Sequence, residues 1–252
     1  MQRYFLQEEQ EPPFRLYGKD AYHITHVMRM QPGDEVLIVT RSQKSAVCAL
    51  QTVSPEEVTV KVKKWQEEEV ELPVSVTIAS GLPKGDKLEW IFQKGTELGA
   101  AGFIPFVANR SVVKWDEKKV AKRKDRWDKI LKEAAEQSHR VIIPTVQAPC
   151  PFQTLLEEME RFDQVIVAYE ESAKSGEQST FSSVITKLQR QERVLCIFGP
   201  EGGFTEKEIE ALEQKGAHIA ALGPRILRTE TAPLYALSAI SYQLELFKRG
   251  EQ

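Results

Sequence analysis

The chain has 252 residues, 41% hydrophobic and 28% charged, enough for one large domain or two small ones around a sizeable core. Its 34 Lys and Arg against 37 Asp and Glu leave a net charge of −3, which excludes a globally basic nucleic-acid coat but not a local basic face. Cys48, Cys150 and Cys196 lie far apart with no CxxC, which speaks against a disulfide framework or a zinc ribbon. The opening MQRYFLQEEQEPPF has no apolar h-region, and no later stretch approaches the ~18 apolar residues of a membrane span. The expectation is a soluble protein of a reducing, bacterial-type cytoplasm.

Residues 1 to about 70 read as short strands. RYFL (3–6) precedes a Pro-Pro turn at 12–13, and a short helical stretch at 21–30 runs up to Pro32-Gly33. Strands follow at 34–40, 45–53 and 57–65; in the last, Val58, Val60 and Val62 alternate with Thr59, Lys61 and Lys63. This pattern predicts a small β-barrel. The acidic run EEEVELP (67–73) closes it, and the expected division is a barrel domain over 1–72 and a second domain over 73–252.

From residue 74 strand and helix alternate. VSVTIAS precedes DKLEWIFQKGTEL, and GFIPFV precedes a helix over 118–137. IPTVQAP, QVIVAYE, VLCIFG and HIAALG are each followed by a helical segment. Strands that are nearly continuously apolar, each followed by an amphipathic helix, predict an α/β fold with a parallel sheet covered on both faces. Leu88, Ile91, Phe92, Gly95 and Leu98 share one helix face. In the last helix Tyr235, Ala236, Ala239, Ile240, Leu246 and Phe247 form one apolar stripe, and Leu234, Leu237, Tyr242 and Leu244 a second. A terminal helix apolar on two sides predicts two partners, the sheet and a second subunit.

FGPEGGFTEKEIE (198–210) follows a buried strand. Its glycines suit either a ligand loop or a tight turn, and Thr205 with Glu208 has capping-box spacing. Neither GxxxxGK[ST] nor GxGxxG can be written on it. LGPRILRTETAP (222–233) also follows a strand and crowds Arg225, Arg228 and Glu230 beside two threonines. Either an Arg–Glu pair pins the last helix, or the two segments share a ligand site where open α/β sheets place one, at the carboxyl ends of strands.

Between 111 and 140 ten basic residues outnumber six acidic ones, with Trp115 and Trp127 interleaved. A solvated helix face or a weak polyanion site fits this run. Arg15, Arg29, Lys44, Lys61, Lys63 and Lys64 give the barrel a basic surface of its own. His23, His26, His139 and His218 have no ligand-spaced neighbours, so no metal site is expected. The absence of GxSxG disfavours acyl transfer.

Together ASGLPKGDKLEWIFQKGTELG (79–99), NRSVVK (109–114), EAAEQSHR (133–140), FGPEGGFT (198–205) and LGPRILRTETA (222–232) resemble the ribosomal RNA small subunit methyltransferase E family of the SPOUT superfamily, over essentially the whole chain. The resemblance implies an N-terminal PUA-like, RNA-binding barrel and a C-terminal SPOUT α/β domain with a trefoil knot. It implies a cytoplasmic homodimer that uses S-adenosyl-L-methionine and no metal. The implied reaction methylates N3 of uridine 1498 in 16S ribosomal RNA of the small ribosomal subunit. Gly199, Pro200, Glu201 and Gly202 match the family's first cofactor loop; Leu222, Gly223, Ile226, Leu227 and Arg228 match the second. Uridine N3 must lose its proton before attacking a methyl group, so Arg228 is expected to stabilise the uracil anion and Glu230 to orient it or accept the proton. Lys84, Lys94, Arg110 and Arg140 match family positions near the site, where RNA contact, subunit contact and a structural role are all open; Arg15 and Arg29 are the barrel's expected RNA contacts. His26 and Asn109 depart from the arginine and glutamate that many relatives carry. The rivals are a SPOUT enzyme for another RNA nucleotide, a non-catalytic RNA-binding assembly factor and an α/β enzyme acting on a phosphate ester.

Overall fold

The structure, a computed structural model, describes residues 1–67, 69–113, 117–170 and 179–247. Lys114 and Trp115 of the motif and basic run, and Lys248 and Arg249 of the last helix, lie outside the described residues. The chain divides into two compact units. Residues 1–71 and 135–142 form the first, and 72–134 and 143–252 the second.

The first unit is a half-barrel. Its strands β1 (Arg3–Phe5), β2 (Phe14–Tyr17), β3 (Glu35–Val39), β4 (Ser45–Val53) and β5 (Glu57–Gln66) lie in the order β1-β3-β4-β5-β2. β1 pairs with β3 in parallel and the remaining pairs are antiparallel. Register shifts at Val47/Cys48 and Leu50/Thr52 interrupt the β4–β5 ladder, and irregularities of this kind bend a sheet. The alternation expected in β5 is present: Val58 and Val60 are fully buried, Lys61 and Lys63 are exposed, and Val62 packs against the core from its edge. Helix α1 (Gly18–Tyr22) continues into a wider π-type turn over His23–Val27 and closes the core with Ala21 and Ile24. Residues 135–142 are fastened here by Arg140. Its guanidinium pairs with Glu71, whose other carboxylate oxygen accepts the Val141 and Ile142 N–H groups at 2.9 and 3.1 Å.

The second unit is a parallel sheet with helices on both faces. Strands β6 (Ser75–Gly81), β7 (Gly102–Val107), β8 (Thr145–Val146), β10 (Gln164–Ala168), β11 (Arg193–Phe198) and β12 (His218–Ala220) lie in the order β12-β10-β11-β6-β7-β8. β9 (Cys150–Pro151) pairs with the end of β7. Side chains alternate across this sheet, as the two-residue period of a strand requires. Val194, Cys196 and Phe198 enter one core, which helices α2 (Lys87–Glu97), α3 (Glu117–Gln137), α5 (Thr180–Lys187) and α7 (Ala232–Ser241) cover. Leu195 and Ile197 enter the other, under α4 (Phe152–Glu158) and α6 (Glu206–Gln214). The predicted face of α2 is the one that buries. Among the described residues no helix is long and apolar enough to cross a membrane.

Trp127, interleaved in the basic run, is fully buried and packs edge-on against Phe92 at 5.4 Å, which favours the solvated-face reading of that run over a polyanion site. The run's arginines are engaged too, since Arg123 and Arg126 both pair with the buried Glu89. Once Trp127 anchors α3 in the core, the cations around it become the solvated and ion-paired side of that helix. The last helix splits differently from the predicted stripes. Ala236, Leu237, Ile240 and Leu244 bury, whereas Tyr235, Tyr242, Leu246 and Phe247 remain exposed. Tyr235 and Ala236 are neighbours about 100° apart on a helix and fall on either side of the boundary. Beyond Ser241 the helix widens into a π-type segment over Tyr242–Phe247, which alters the angular step between residues.

Candidate functional site

A cleft of about 1050 Å³ opens at the carboxyl ends of the strands of the second unit. Three strand ends build it: Gly199–Phe204 after β11, Ala221–Thr229 after β12, and Ala168–Glu170 after β10. Because β10 lies between β11 and β12, the two motifs found in sequence face one another across its end. All nine residues matched to cofactor loops line this cleft: Gly199, Pro200, Glu201, Gly202, Leu222, Gly223, Ile226, Leu227 and Arg228.

Close backbone packing fixes the first loop. A Cβ on Gly81, the last residue of β6, would lie 2.5 Å from Pro200 Cδ and 2.6 Å from Pro200 N. One on Gly202 would lie 2.8 Å from Arg110 Cβ, while the Gly202 carbonyl accepts a hydrogen bond from Arg110 Nη1 at 3.2 Å. The loop is therefore wedged between the ends of β6 and β7, and glycine is the residue that permits either approach. Its far end is held by the predicted capping box. Thr205 Oγ1 accepts the Glu208 N–H, and Glu208 Oε2 accepts the Thr205 N–H at 2.8 Å. Glu208 Oε1 also accepts the Asn109 N–H at 2.8 Å. Asn109 is thus held through its backbone.

Within the second loop, the carbonyl of Arg228 accepts the Thr231 and Ala232 N–H groups at 2.8 and 3.0 Å and so starts α7. Its side chain is exposed and, among the described residues, enters neither a hydrogen bond nor an ion pair. The Arg–Glu pair that would merely pin the last helix does not form. Glu230 turns instead to Lys87 on α2, with Oε2 buried 3.4 Å from Nζ and in no hydrogen bond. Lys87 Nζ also donates to Glu201 Oε1 at 3.1 Å, and the same oxygen accepts the Lys84 N–H at 3.1 Å. Burial pushes the Glu201 carboxyl up, but the Lys84 N–H, its own N–H and Lys87 together outweigh burial and hold it below the usual range. The Lys87 ammonium is raised, chiefly by its hydrogen bond to Glu201.

The predicted RNA contacts are dispersed. Arg110 is exposed at the cleft and Lys84 is exposed beside it. Lys94 donates to Glu97 and sits 5.3 Å from the Trp90 ring. In the first unit Arg15 is exposed, 3.8 Å from Glu57, and Arg29 is exposed at φ 53°. Arg140 is only 3% exposed, its guanidinium committed to Glu71, and no cation is presented there. His26 stacks on Tyr22 with ring centroids 4.4 Å apart. Lys87, Gly81 and Glu170 are site residues that sequence did not single out. Gly81 and Glu170 lie at or just beyond the carboxyl end of a predicted strand, which was the available signal for them; Lys87 opens the following helix and carried none.

The cleft can accept a zwitterionic ligand with a flat apolar part. Lys87, Arg110, Arg225 and Arg228 line it together with Glu170, Glu201 and Glu206, and Ile226 lines it while 72% exposed. Among the described residues no group of three His, Cys, Asp or Glu is placed to hold a metal ion.

A half-barrel of PUA type, together with a parallel α/β unit whose cleft is made by a glycine loop and an arginine loop, defines an RNA methyltransferase. The RNA methyltransferase domain family matches residues 70–241, and the RNA methyltransferase PUA domain family matches 16–63. The ribosomal RNA small subunit methyltransferase E of Bacillus subtilis is 55% identical over 257 residues, covering all of both chains. A Legionella pneumophila protein solved with the cofactor S-adenosylmethionine bound is 29% identical, with a TM-score of 0.82 over 95% of this chain and 96% of its own. The ribosomal RNA small subunit methyltransferase E of Neisseria gonorrhoeae, bound to S-adenosylmethionine, is 26% identical, with a TM-score of 0.80 over 96% and 97%. This chain belongs to the ribosomal RNA small subunit methyltransferase E family.

Proposed function

We propose that this protein methylates N3 of uridine 1498 in 16S ribosomal RNA of the small ribosomal subunit, with S-adenosylmethionine as donor. The observation that carries the proposal is an exposed, uncommitted Arg228 guanidinium lining the cleft between two loops that fit the donor, with Glu230 two residues on and held by the cleft-lining Lys87. Family membership and the donor-bound relatives support it.

Bound S-adenosylmethionine supplies an electrophilic methyl group on a sulfonium. Gly199, Pro200, Glu201 and Gly202 form one wall for it, and Leu222, Gly223, Ile226, Leu227 and Arg228 the other; the aliphatic members shield the adenine and exclude water. Glu230 orients the uracil or takes the N3 proton. Arg228 stabilises the negative charge that spreads over the ring as that proton leaves. Lys84 and Arg110 at the cleft, and Arg15 and Arg29 on the half-barrel, supply phosphate contacts whose contribution falls with salt. Lys94 and Arg140 take structural roles through Glu97 and Glu71.

The same proposal divides the chain at residue 72 into an RNA-binding and a catalytic domain, threads the segment after β12 as the family's trefoil knot, and places the protein in the cytoplasm. It also makes the protein a homodimer through the exposed Tyr235, Tyr242, Leu246 and Phe247, a face that light scattering on a Leu246→Glu variant tests. For the chemistry the test is methyl transfer from labelled donor to unmodified small subunits. Arg228→Ala is expected to abolish transfer with the oligomer intact, and full activity of that variant would refute its role.

A further inference from the structure

Glu230 has been given work to do at the cleft, yet its Oε2 is buried and makes no hydrogen bond. The cation that faces it comes from neither motif. Lys87 is the first residue of α2, a helix fixed to the sheet by the buried Leu88, Ile91 and Phe92. Its Nζ reaches Glu201 Oε1 at 3.1 Å and Glu230 Oε2 at 3.4 Å. One ammonium therefore spans the loop after β11 and the turn before α7. A lysine suits this position because its three N–H groups can serve carboxylates in different directions, which the planar fork of an arginine does less well. Arg228, two residues from Glu230 in sequence, makes no ion pair with it and so stays available to a ligand.

We propose that Lys87, itself in the wall of the cleft, is a positioning residue that holds Glu230 at the cleft's edge and locks it to the first loop through Glu201. This inference rests on the role assigned to Glu230 above. Lys87 is not required to touch the uracil. It holds Oε2 and leaves the other oxygen of Glu230 for the ring. Without it, Glu230 carries a buried oxygen with no countercharge, and the two escapes are to swing toward Arg228 or to take up a proton. Either would remove the acceptor and the first would also neutralise Arg228.

The test is a cycle of variants in the full chain, with labelled S-adenosylmethionine and unmodified small subunits as substrates. It measures kcat and KM for Lys87→Met, Lys87→Arg, Glu230→Gln and the double variant Lys87→Met/Glu230→Gln, with thermal unfolding of each; Lys87→Gln replaces the methionine variant if that one does not fold. Misplacing a reacting group by about 1 Å costs up to about 100-fold, so Lys87→Met is expected to lower kcat by roughly 10- to 100-fold, with partial recovery in Lys87→Arg. The double variant is expected to be no slower than Glu230→Gln alone, because Lys87 acts through that carboxylate. Two results overturn the proposal while sparing the role of Glu230: a Lys87→Met enzyme at the wild-type rate beside an inactive Glu230→Gln, or losses that multiply in the double variant. Full activity of Glu230→Gln removes the role of Glu230, and that of Lys87 with it.

Discussion

Replacing Gly81 by alanine isolates the packing that shapes the cleft. Gly81 lies within β6 in an extended conformation that alanine adopts freely, so the cost is steric. The new Cβ would meet Pro200 Cδ at 2.5 Å, Pro200 N at 2.6 Å and the Gly199 carbonyl carbon at 3.1 Å. Carbon atoms in contact prefer about 3.5–4.0 Å, so the loop after β11 must retreat by roughly 1 Å. Two of the three clashes are with backbone, and the Pro200 carbonyl is itself bound by the Gly203 N–H at 2.8 Å, so the turn moves as a unit. Overpacking of this kind costs about 1–3 kcal/mol, and each kcal/mol lowers Tm by about 2–4 °C in a chain of this size. The displaced loop is the proposed donor wall, so affinity for S-adenosylmethionine, read by calorimetric titration, should fall by up to about 100-fold. Gly216→Ala is the control. It has φ +87° and nothing within 4 Å of its Cβ, and it should cost about 1 kcal/mol of backbone strain with no change in affinity. A Gly81→Ala protein that melts and binds the donor like the wild type would refute the reasoning.

Three further outcomes follow from the geometry. Glu208→Ala removes the acceptor of the Asn109 N–H, the Thr205 N–H and the Thr205 hydroxyl, each at 2.8 Å; urea unfolding should show a loss of about 2 kcal/mol, and an unchanged midpoint would mean that solvent replaces these bonds. Burial pushes the Cys48 and Cys196 thiols up to about 12, and burial followed by the Glu158 charge raises Cys150. Iodoacetamide at neutral pH should therefore label Cys150 slowly and the other two only on unfolding, and rapid labelling of Cys48 or Cys196 in the folded protein would contradict this burial. Glu201 is held below its ordinary 4.5, so its stabilising contribution is present above that pH and is lost as pH falls through the lower folded value. The raised Lys87 retains its own contribution throughout that range, losing it only above its ordinary 10.5. The Tm difference between wild type and Glu201→Gln should shrink between pH 6 and pH 3, and a difference that grows would reverse the sign of the argument.

The alternation of Val58 and Val60 with exposed lysines was visible in the sequence because one face of the half-barrel is wet. The near-continuous apolar strands of the second unit were visible because both faces of that sheet are covered. Capping by Thr205 and Glu208 is local and could be read from spacing alone. Lys87 could not, because its meeting with Glu201 and Glu230 depends on β6 lying beside β11 and on where α7 begins, contacts separated by more than a hundred residues. Gly81 is similar: a strand-terminal glycine becomes informative only when Pro200 is found against it. The burial of Trp127, by contrast, is legible, since Val120, Ile130 and Leu131 recur around it at helical spacing; the engagement of Arg123 and Arg126 by Glu89 is not, because Glu89 lies on another helix.

The central claim is tested most directly by the identity of the product. Unmodified small ribosomal subunits would be incubated with the protein and labelled S-adenosylmethionine, the RNA digested, and the nucleosides separated and weighed by mass spectrometry. The account predicts label in 3-methyluridine from position 1498 of 16S ribosomal RNA, and none when Arg228→Ala replaces the wild type. Label in a different nucleoside, or at a different uridine, would contradict it.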